Sequence, residues 1–381
     1  MKKTLSLLLL ISLLLGFALG TAQAEPALSE DGRFPAETVK IGFVNYDTSA
    51  EQVLAIQSYF EYLQTAFNFE VIWSEALNSA AAEFAFIEQC AAAGCKAIIG
   101  YYNEGKSESV KLAADLGMYY FGGAVNADIY EPEKNNPFYV GGYISGAEQD
   151  ENYLAGYAVG KALVDAGSKK VIVMSGGKDF GVEFFVKRYN GIMDALNEGG
   201  AEVVYEVPGW PGTEAFAAHQ TAALQTEADG LAGTLTCMMW LQPMQNAGKM
   251  GQIKVAGIET VSEGLVGLMQ GGIYVGAFSE IPDMFGLSIP MILNAVTGYG
   301  EQQRNPDGSA GRVKVLNWVI TNPEDMAYFA KLLSGEGDER VFSIEDLKTV
   351  MGAYNPDFTL DDMSALYSAV TADEIRARHA Q

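Results

Sequence analysis

Two histidines and three cysteines are the whole supply of soft metal ligands in this 381-residue chain. Zinc-type sites draw about four ligands from such residues, so no metal is expected, and no motif calls for a cofactor. Three cysteines also exclude a disulfide framework. Cys90 and Cys95, near the end of a helical pattern and the start of the next strand, are close enough to bridge, with two buried free thiols as the alternative; Cys237 ends another strand. Basic residues are scarce as well: 24 Lys and Arg face 48 Asp and Glu, a formal charge of −24. Phosphate backbones are bound by clustered Lys and Arg, so nucleic acid is not an expected partner, and the acidity serves solubility. Catalytic signatures are missing too. There is no GxSxG elbow, P-loop or GxGxxG, and no histidine stands beside a cysteine. The chain therefore reads as a non-enzyme, with a carboxylate pair drawn from its many acids as the hydrolytic arrangement left open.

A long apolar run stands at the N-terminus. Lys2 and Lys3 precede the apolar residues 5–20, and Thr21-Ala22-Gln23-Ala24 follows. Charged, apolar and small-x-small segments in that order make a cleavable signal peptide over residues 1–24. The run is shorter than the roughly 20 residues of a spanning helix, and no cysteine near Ala24 offers a lipid attachment point. The expected location is extracytoplasmic, and periplasmic in a cell with an outer membrane. Loss of Lys2 and Lys3 takes the formal charge from −24 to −26. With 49% apolar residues, the remaining chain is long enough for two domains with their own cores.

The rest is a strand-then-helix pattern that runs twice, over residues 39–124 and 169–300. In the first run, Val39 to Val44 is a buried strand, residues 50–67 have apolar positions at helical spacing, and strands follow at Phe69 to Trp73, Ala97 to Tyr102 and Met118 to Phe121. In the second, strands are read at Lys170 to Ser175, Ala201 to Val207, Leu231 to Thr236, Ile253 to Ile258 and Tyr274 to Phe278. Helices of 10 to 18 residues between strands make βαβ crossovers, so both sheets should be parallel. Residues 323–381 add helical patterns, expected to pack on the second half.

Parallel sheets bind ligands beyond the carboxyl ends of their strands. In the first half those ends carry Asn45, Tyr46, Asp47 and Thr48, then Tyr102, Asn103 and Glu104, then Gly122, Gly123 and Asn126. Polar residues there also cap helices and make turns, so each has that alternative role. In the second half, Gly176-Gly177-Lys178-Asp179-Phe180-Gly181 lacks the P-loop spacing, and a tight βα turn explains its glycines.

Three segments carry a resemblance: the opening strand Val39-Lys40-Ile41-Gly42-Phe43-Val44, then Glu151-Asn152-Tyr153-Leu154-Ala155-Gly156, and Arg188-Tyr189-Asn190-Gly191-Ile192. With the duplicated pattern, over roughly residues 39–320, they resemble the type I periplasmic binding proteins, the solute receptors of ABC importers for simple sugars. The resemblance implies an α/β fold of two doubly wound parallel-sheet lobes joined by a three-segment hinge, with a helical C-terminal extension. The N-lobe would comprise residues 39–146 plus 283–310, the C-lobe 147–278 plus 311–322, and the extension 323–381. The chain would cross between lobes near residues 145–150, 279–282 and 310. Arg188 would take the place of the arginine that hydrogen-bonds a sugar, and Glu259, ending Val255-Ala256-Gly257-Ile258-Glu259, that of the usual Asp. Two departures stand out: Gly122-Gly123 replaces an Asp-Arg pair, and Cys237-Met238-Met239-Trp240 replaces an Asn-Asp pair. The Tyr-Leu-Ala-Gly element is also similar to the basic-membrane-protein branch, which binds nucleosides.

The expected cleft would offer Tyr46, Tyr102, Phe180, Trp210 and Trp240 as apolar faces, and Asp47, Asn103, Asn126, Lys178, Arg188, Glu259 and Glu280 as polar partners, beside Gly123. A sugar uses planar hydrogen-bonding groups and aromatic faces, and a nucleobase uses stacking. The implied protein is a monomeric receptor that closes on a small solute and is recognised by ABC permease subunits. A ligand sensor for a membrane receptor shares the same fold and site.

Overall fold

The computed structural model of the protein describes residues 26–380, apart from 46, 50, 102, 103, 126, 145–150, 181, 182, 280, 281, 336–338 and 370. The expected signal peptide lies outside the described residues.

Two six-stranded sheets carry the chain. The first contains β1 (Phe34–Asn45), β2 (Phe67–Ala76), β3 (Ala97–Gly100), β4 (Tyr119–Val125), β5 (Tyr139–Ile144) and β11 (Gly311–Lys314), ordered β11-β5-β4-β3-β1-β2. The second contains β6 (Lys170–Gly176), β7 (Glu202–Pro208), β8 (Gly230–Gly233), β9 (Lys254–Ile258), β10 (Tyr274–Ser279) and β12 (Trp318–Ile320), ordered β12-β10-β9-β8-β6-β7. The orders correspond strand for strand, so the repeated sequence pattern is a repeated topology. Among the described residues, all strand pairings are parallel except β10 with β12.

Both sheets are covered on two faces, which is why their strands read as apolar runs rather than as alternations. Residues 41–44 of β1 are all buried. Ile41 and Phe43 face α1 (Glu51–Leu63), in a cluster with Ile56, Phe60 and Leu63, while Val44 joins Ile87 and Cys90 of α2 (Ala80–Ala92) on the other side. Between them Gly42 admits the helix: a Cβ there would stand 2.5 Å from Cys90 Sγ. Cys90, Cys95 and Cys237 are all buried free thiols. A hydrogen bond between the Cys90 and Cys95 thiols pushes Cys90 up and holds Cys95 below the usual thiol range.

The first lobe is completed by α3 (Ser107–Asp115) and by α4 (Ala127–Glu133), a helix hidden in the sequence by the proline it contains. In the second, α5 (Glu151–Asp165) and α6 (Glu183–Glu198) cover one face, and α7 (Glu214–Ala223), α8 (Leu241–Asn246) and α9 (Glu263–Gln270) the other. The chain then returns through a 3-10 turn, Pro282–Leu287, to α10 (Ser288–Thr297), which packs on β1, β4 and β5.

One expectation needs correction. Residues 311–314, placed with the second half by sequence, pair with β5 in the first sheet, so the third passage between lobes lies between Lys314 and Trp318. The reason is local fit. Val313 is fully buried, and Gly141 lies so close to β11 that a Cβ on it would meet the Gly311 carbonyl oxygen at 1.8 Å.

Beyond β12 come α11 (Pro323–Ser334), α12 (Ile344–Lys348), α13 (Leu360–Leu366) and α14 (Ala372–His379). Asn322 caps α11, and Ser343, Thr359 and Thr371 begin the others with capping boxes, whose aspartate or glutamate answers the cap backbone. These helices rest on both lobes and not, as expected, on the second alone: α11 lies against α9 and reaches α1.

Candidate functional site

The site is built on the contact between α5 and α6. A Cβ on Gly156 would stand 1.9 Å from the Arg188 carbonyl oxygen, and one on Gly191 would stand 2.1 Å from that of Tyr153. The two helices therefore touch backbone to backbone, and the motifs around Asn152 and Arg188, 36 residues apart, become one structure. Arg188 Nε donates to Asn152 Oδ1 at 2.7 Å and its Nη1 to the Thr234 carbonyl at 3.2 Å. Both side chains are buried, so the guanidinium is held in one orientation. It lies 5.0 Å from the Phe184 ring centroid and 5.8 Å from that of Phe185.

Three strand ends converge there. After β6 the chain turns at Gly176, whose φ of +58° suits glycine, into a 3-10 turn, Gly177–Phe180, which is the tight βα turn read from the sequence. A Cβ on Gly177 would meet the Phe185 ring at 2.5 Å and the Trp210 ring at 2.7 Å. Trp210, in the loop after β7, sets its ring at 82° to Phe185 with centroids 5.6 Å apart, and it is 46% exposed. Thr234, after β8, is fully buried, and its Oγ1 has no hydrogen-bond partner among the described residues. The arrangement is a fixed planar donor, aromatic faces and an uncommitted hydroxyl.

Lys178 is nearby but committed. Its Nζ is 2.6 Å from Glu206 Oε1 and 4.0 Å from the Tyr189 ring centroid, and the Tyr189 hydroxyl donates to Glu206 Oε2 at 2.8 Å. Burial and the Glu206 charge push Tyr189 up to about 12.

Glu259 and Trp240, expected as ligand contacts, serve the protein's interior. Glu259 Oε1 accepts from the Cys237 N–H at 2.6 Å and the Tyr274 hydroxyl at 2.7 Å, while Oε2 accepts from Thr236 Oγ1 at 2.6 Å. The carboxylate thus clasps the turn after β8, and burial pushes it up to about 7. Trp240 is fully buried and donates its indole N–H to Met174 Sδ at 3.3 Å. A family motif nominated Glu259 and a position beyond a strand end nominated Trp240, and both side chains are buried.

In the first lobe, a Cβ on Gly123 would meet the Gly100 carbonyl oxygen at 2.6 Å and the Phe285 ring at 2.7 Å, so Gly123, expected as a ligand contact, packs closely beneath Phe285. Asp47 accepts from the Ser49 N–H at 2.7 Å and the Ser49 hydroxyl at 2.8 Å, the turn-forming role. Asn45 is fully buried at the end of β1, and its Nδ2 has no partner among the described residues. Tyr101 donates to Gln52 Oε1 at 2.5 Å. Tyr46, Tyr102, Asn103, Asn126 and Glu280 lie outside the described residues, and Phe180 is described only as the end of its turn. Sequence reasoning left Thr234, Phe184 and Phe185 unnamed and gave Asn152 no role; the i, i+3 and i, i+4 spacing of the two phenylalanines from Arg188 was the available signal.

Comparison with solved structures decides the fold. A periplasmic solute-binding protein of an ABC transporter from Actinobacillus succinogenes 130z, with bound D-allose, superposes with a TM-score of 0.60 at 17% identity, covering 76% of this chain and 100% of that one. This chain has the type I periplasmic binding protein fold. An ABC transporter solute-binding protein from Bacillus halodurans C-125, with bound myo-inositol, gives a TM-score of 0.56 at 18% identity, over 79% of this chain and 99% of that one. A sugar ABC transport substrate-binding protein from Bordetella parapertussis 12822 gives 0.57 at 16% identity, over 80% and 93%. No family model and no curated protein sequence matches the chain. Arg188 on α6, Trp210 after β7 and Thr234 after β8 lie together at the carboxyl-end side of the second sheet, the side on which open parallel α/β sheets generally bind ligands.

Proposed function

We propose that this protein is an extracytoplasmic solute-binding protein, which captures a simple sugar or sugar derivative between its lobes and delivers it to an ABC importer without chemical turnover. The observation that carries the reading is the Arg188 cluster: a guanidinium oriented by Asn152 and the Thr234 carbonyl, beside Phe184, Phe185 and the half-exposed Trp210. Hydroxyl groups in fixed positions suit such a planar donor, and the C–H faces of a sugar ring suit the indole. The unpaired Asn45 Nδ2 and Thr234 Oγ1 extend the polar set to one strand end in each lobe. Neighbours that hold allose and inositol support a polyhydroxylated ligand. The N-terminal signal supports export, and no helix among the described residues is long and apolar enough to cross a membrane.

The lobes then comprise residues 39–146 with 283–314, and residues 147–278 with 315–322, hinged on the three passages between sheets. Mass spectrometry of the co-purifying ligand, followed by thermal shifts with pentoses, hexoses, inositol, nucleosides and amino acids, tests the reading. A ligand at a hundredfold excess over its Kd adds about 2.7 kcal/mol of stability. Trp210→Ala should weaken that ligand and change the ligand-free stability by less than about 1 kcal/mol, because the indole is exposed. Stabilisation by a nucleoside alone would move the protein to the nucleoside-binding branch, and turnover of a glycoside would overturn the binding role.

A further inference from the structure

The segment after β12 takes no part in the site, yet it holds both lobes. On the second lobe, α11 packs against α9 and β12, and Phe329 stacks on Trp318 with ring centroids 4.4 Å apart. On the first, the Tyr59 hydroxyl donates to the Phe342 carbonyl at 2.8 Å, the Ile344 N–H donates to the Tyr62 hydroxyl at 3.2 Å, and Arg340 covers the Tyr62 ring at 4.5 Å. Asn294 of α10 is pinned twice: its Nδ2 donates to the Val350 carbonyl at 3.0 Å, and its Oδ1 accepts from the Gly352 N–H at 2.9 Å. Tyr354 meets the Phe34 ring edge-on at 5.5 Å.

These contacts fuse the cores. A single apolar cluster runs from Ile56, Tyr59 and Leu287 of the first lobe, through Phe329, Phe342 and Val350, to Leu265 and Met269 of the second. The opposite faces of the lobes keep separate clusters. The allose-bound structure is covered in full by 76% of this chain, which leaves about a quarter without counterpart there; residues 323–381 and the N-terminal signal together take about that share.

We propose that residues 323–380 form an interlobe strap that restricts how far the lobes open. The proposal rests on the hinged-receptor reading. Opening that draws α1 away from α9 must strip the strap from one lobe, which exposes apolar surface and, on the first lobe, unpairs the buried Asn294 amide. Three peptide passages alone bend with little resistance, whereas a packed fourth connection penalises the open state. A restricted opening slows ligand exchange without any contact to the ligand.

The test uses the full chain with nitroxide labels at Glu88→Cys on α2 and Asn197→Cys on α6, two exposed positions, the native thiols being buried. Interlobe distances without added ligand are measured by pulsed electron resonance, with and without Tyr59→Phe plus Asn294→Ala, and amide exchange is followed at residues 342–354. The expected result is about tenfold faster exchange in that segment or more, with a distance distribution extended to longer values. Faster exchange with an unchanged, already broad distribution overturns the strap and leaves the hinge standing. Faster exchange with one narrow distance in both proteins removes the hinge itself. Unchanged exchange overturns the proposal as well, since these bonds then do not hold the segment. Should the double variant fail to fold, Tyr59→Phe alone gives the same readouts.

Discussion

In the second lobe, an oriented guanidinium and two phenylalanine rings on α6 stand beside the ends of β6, β7 and β8 and a half-exposed indole; in the first, the rings of Phe43, Tyr101 and Phe285 crowd together near the ends of β1 and β3, with centroids 4.6 to 6.1 Å apart. The strand order is the same in both. The same topology therefore carries different residues at matching strand ends, and those residues set what each lobe could offer a ligand. On the proposed function, the directional polar groups among the described residues, Arg188 with Asn152 and Thr234, sit in the second lobe. In the first lobe the Phe43 and Phe285 rings are fully buried, and the Asn45 amide stands at the end of β1.

Arg188 is where this contrast is most exposed to failure. Arg188→Ala should remove ligand affinity measured by calorimetry, and should lower unfolding stability by about 2–4 kcal/mol, because it deprives Asn152 Oδ1 and the Thr234 carbonyl of a charged donor. Unchanged affinity would move recognition to the first lobe. The pH dependence of stability comes next. The Glu259 carboxyl is raised from 4.5 to about 7, so the folded chain holds this proton more tightly than the unfolded chain. The associated stability is full below about pH 4.5 and is lost as pH rises through about 7, a change of about 3 kcal/mol. Denaturant titrations of Glu259→Gln should lack that decline; parallel pH curves would show that Glu259 does not titrate in this window. The smallest effect concerns the scaffold. Gly191→Ala drives a Cβ into the Tyr153 carbonyl and should cost about 1–3 kcal/mol, together with ligand affinity, since the α5–α6 contact positions Arg188. Gly123→Ala in the first lobe should cost stability while sparing affinity, and equal losses of affinity would erase the distinction between the lobes.

The repeated topology was legible because buried parallel strands announce themselves as short apolar runs between helical spacings. Arg188 and Trp210 were nominated for a different reason, a motif in one case and an unprotected loop position in the other. Glu259 was nominated by a motif and Trp240 by its place beyond a strand end, and neither signal reveals which way a side chain turns; the Thr236 and Tyr274 hydroxyls that bond Glu259, and the core that encloses Trp240, come from other elements. Gly123 looked like backbone room for a ligand and is room for Phe285, 162 residues away. Residues 311–314 were placed in the other lobe because the third crossing was set near residue 310 by family resemblance; their pairing partners, residues 141–144, lie about 170 residues earlier in the chain.

The late position of β11 and β12 has a consequence for synthesis. A chain halted before residue 311 has made ten of its twelve strands, yet β5 and β10 would both stand as bare edges. Unpaired edges are templates for pairing with other chains. Residues 311–320 complete both sheets together and move those edges from β5 and β10 to the short strands β11 and β12, so a chain that stops earlier leaves both lobes unfinished rather than one.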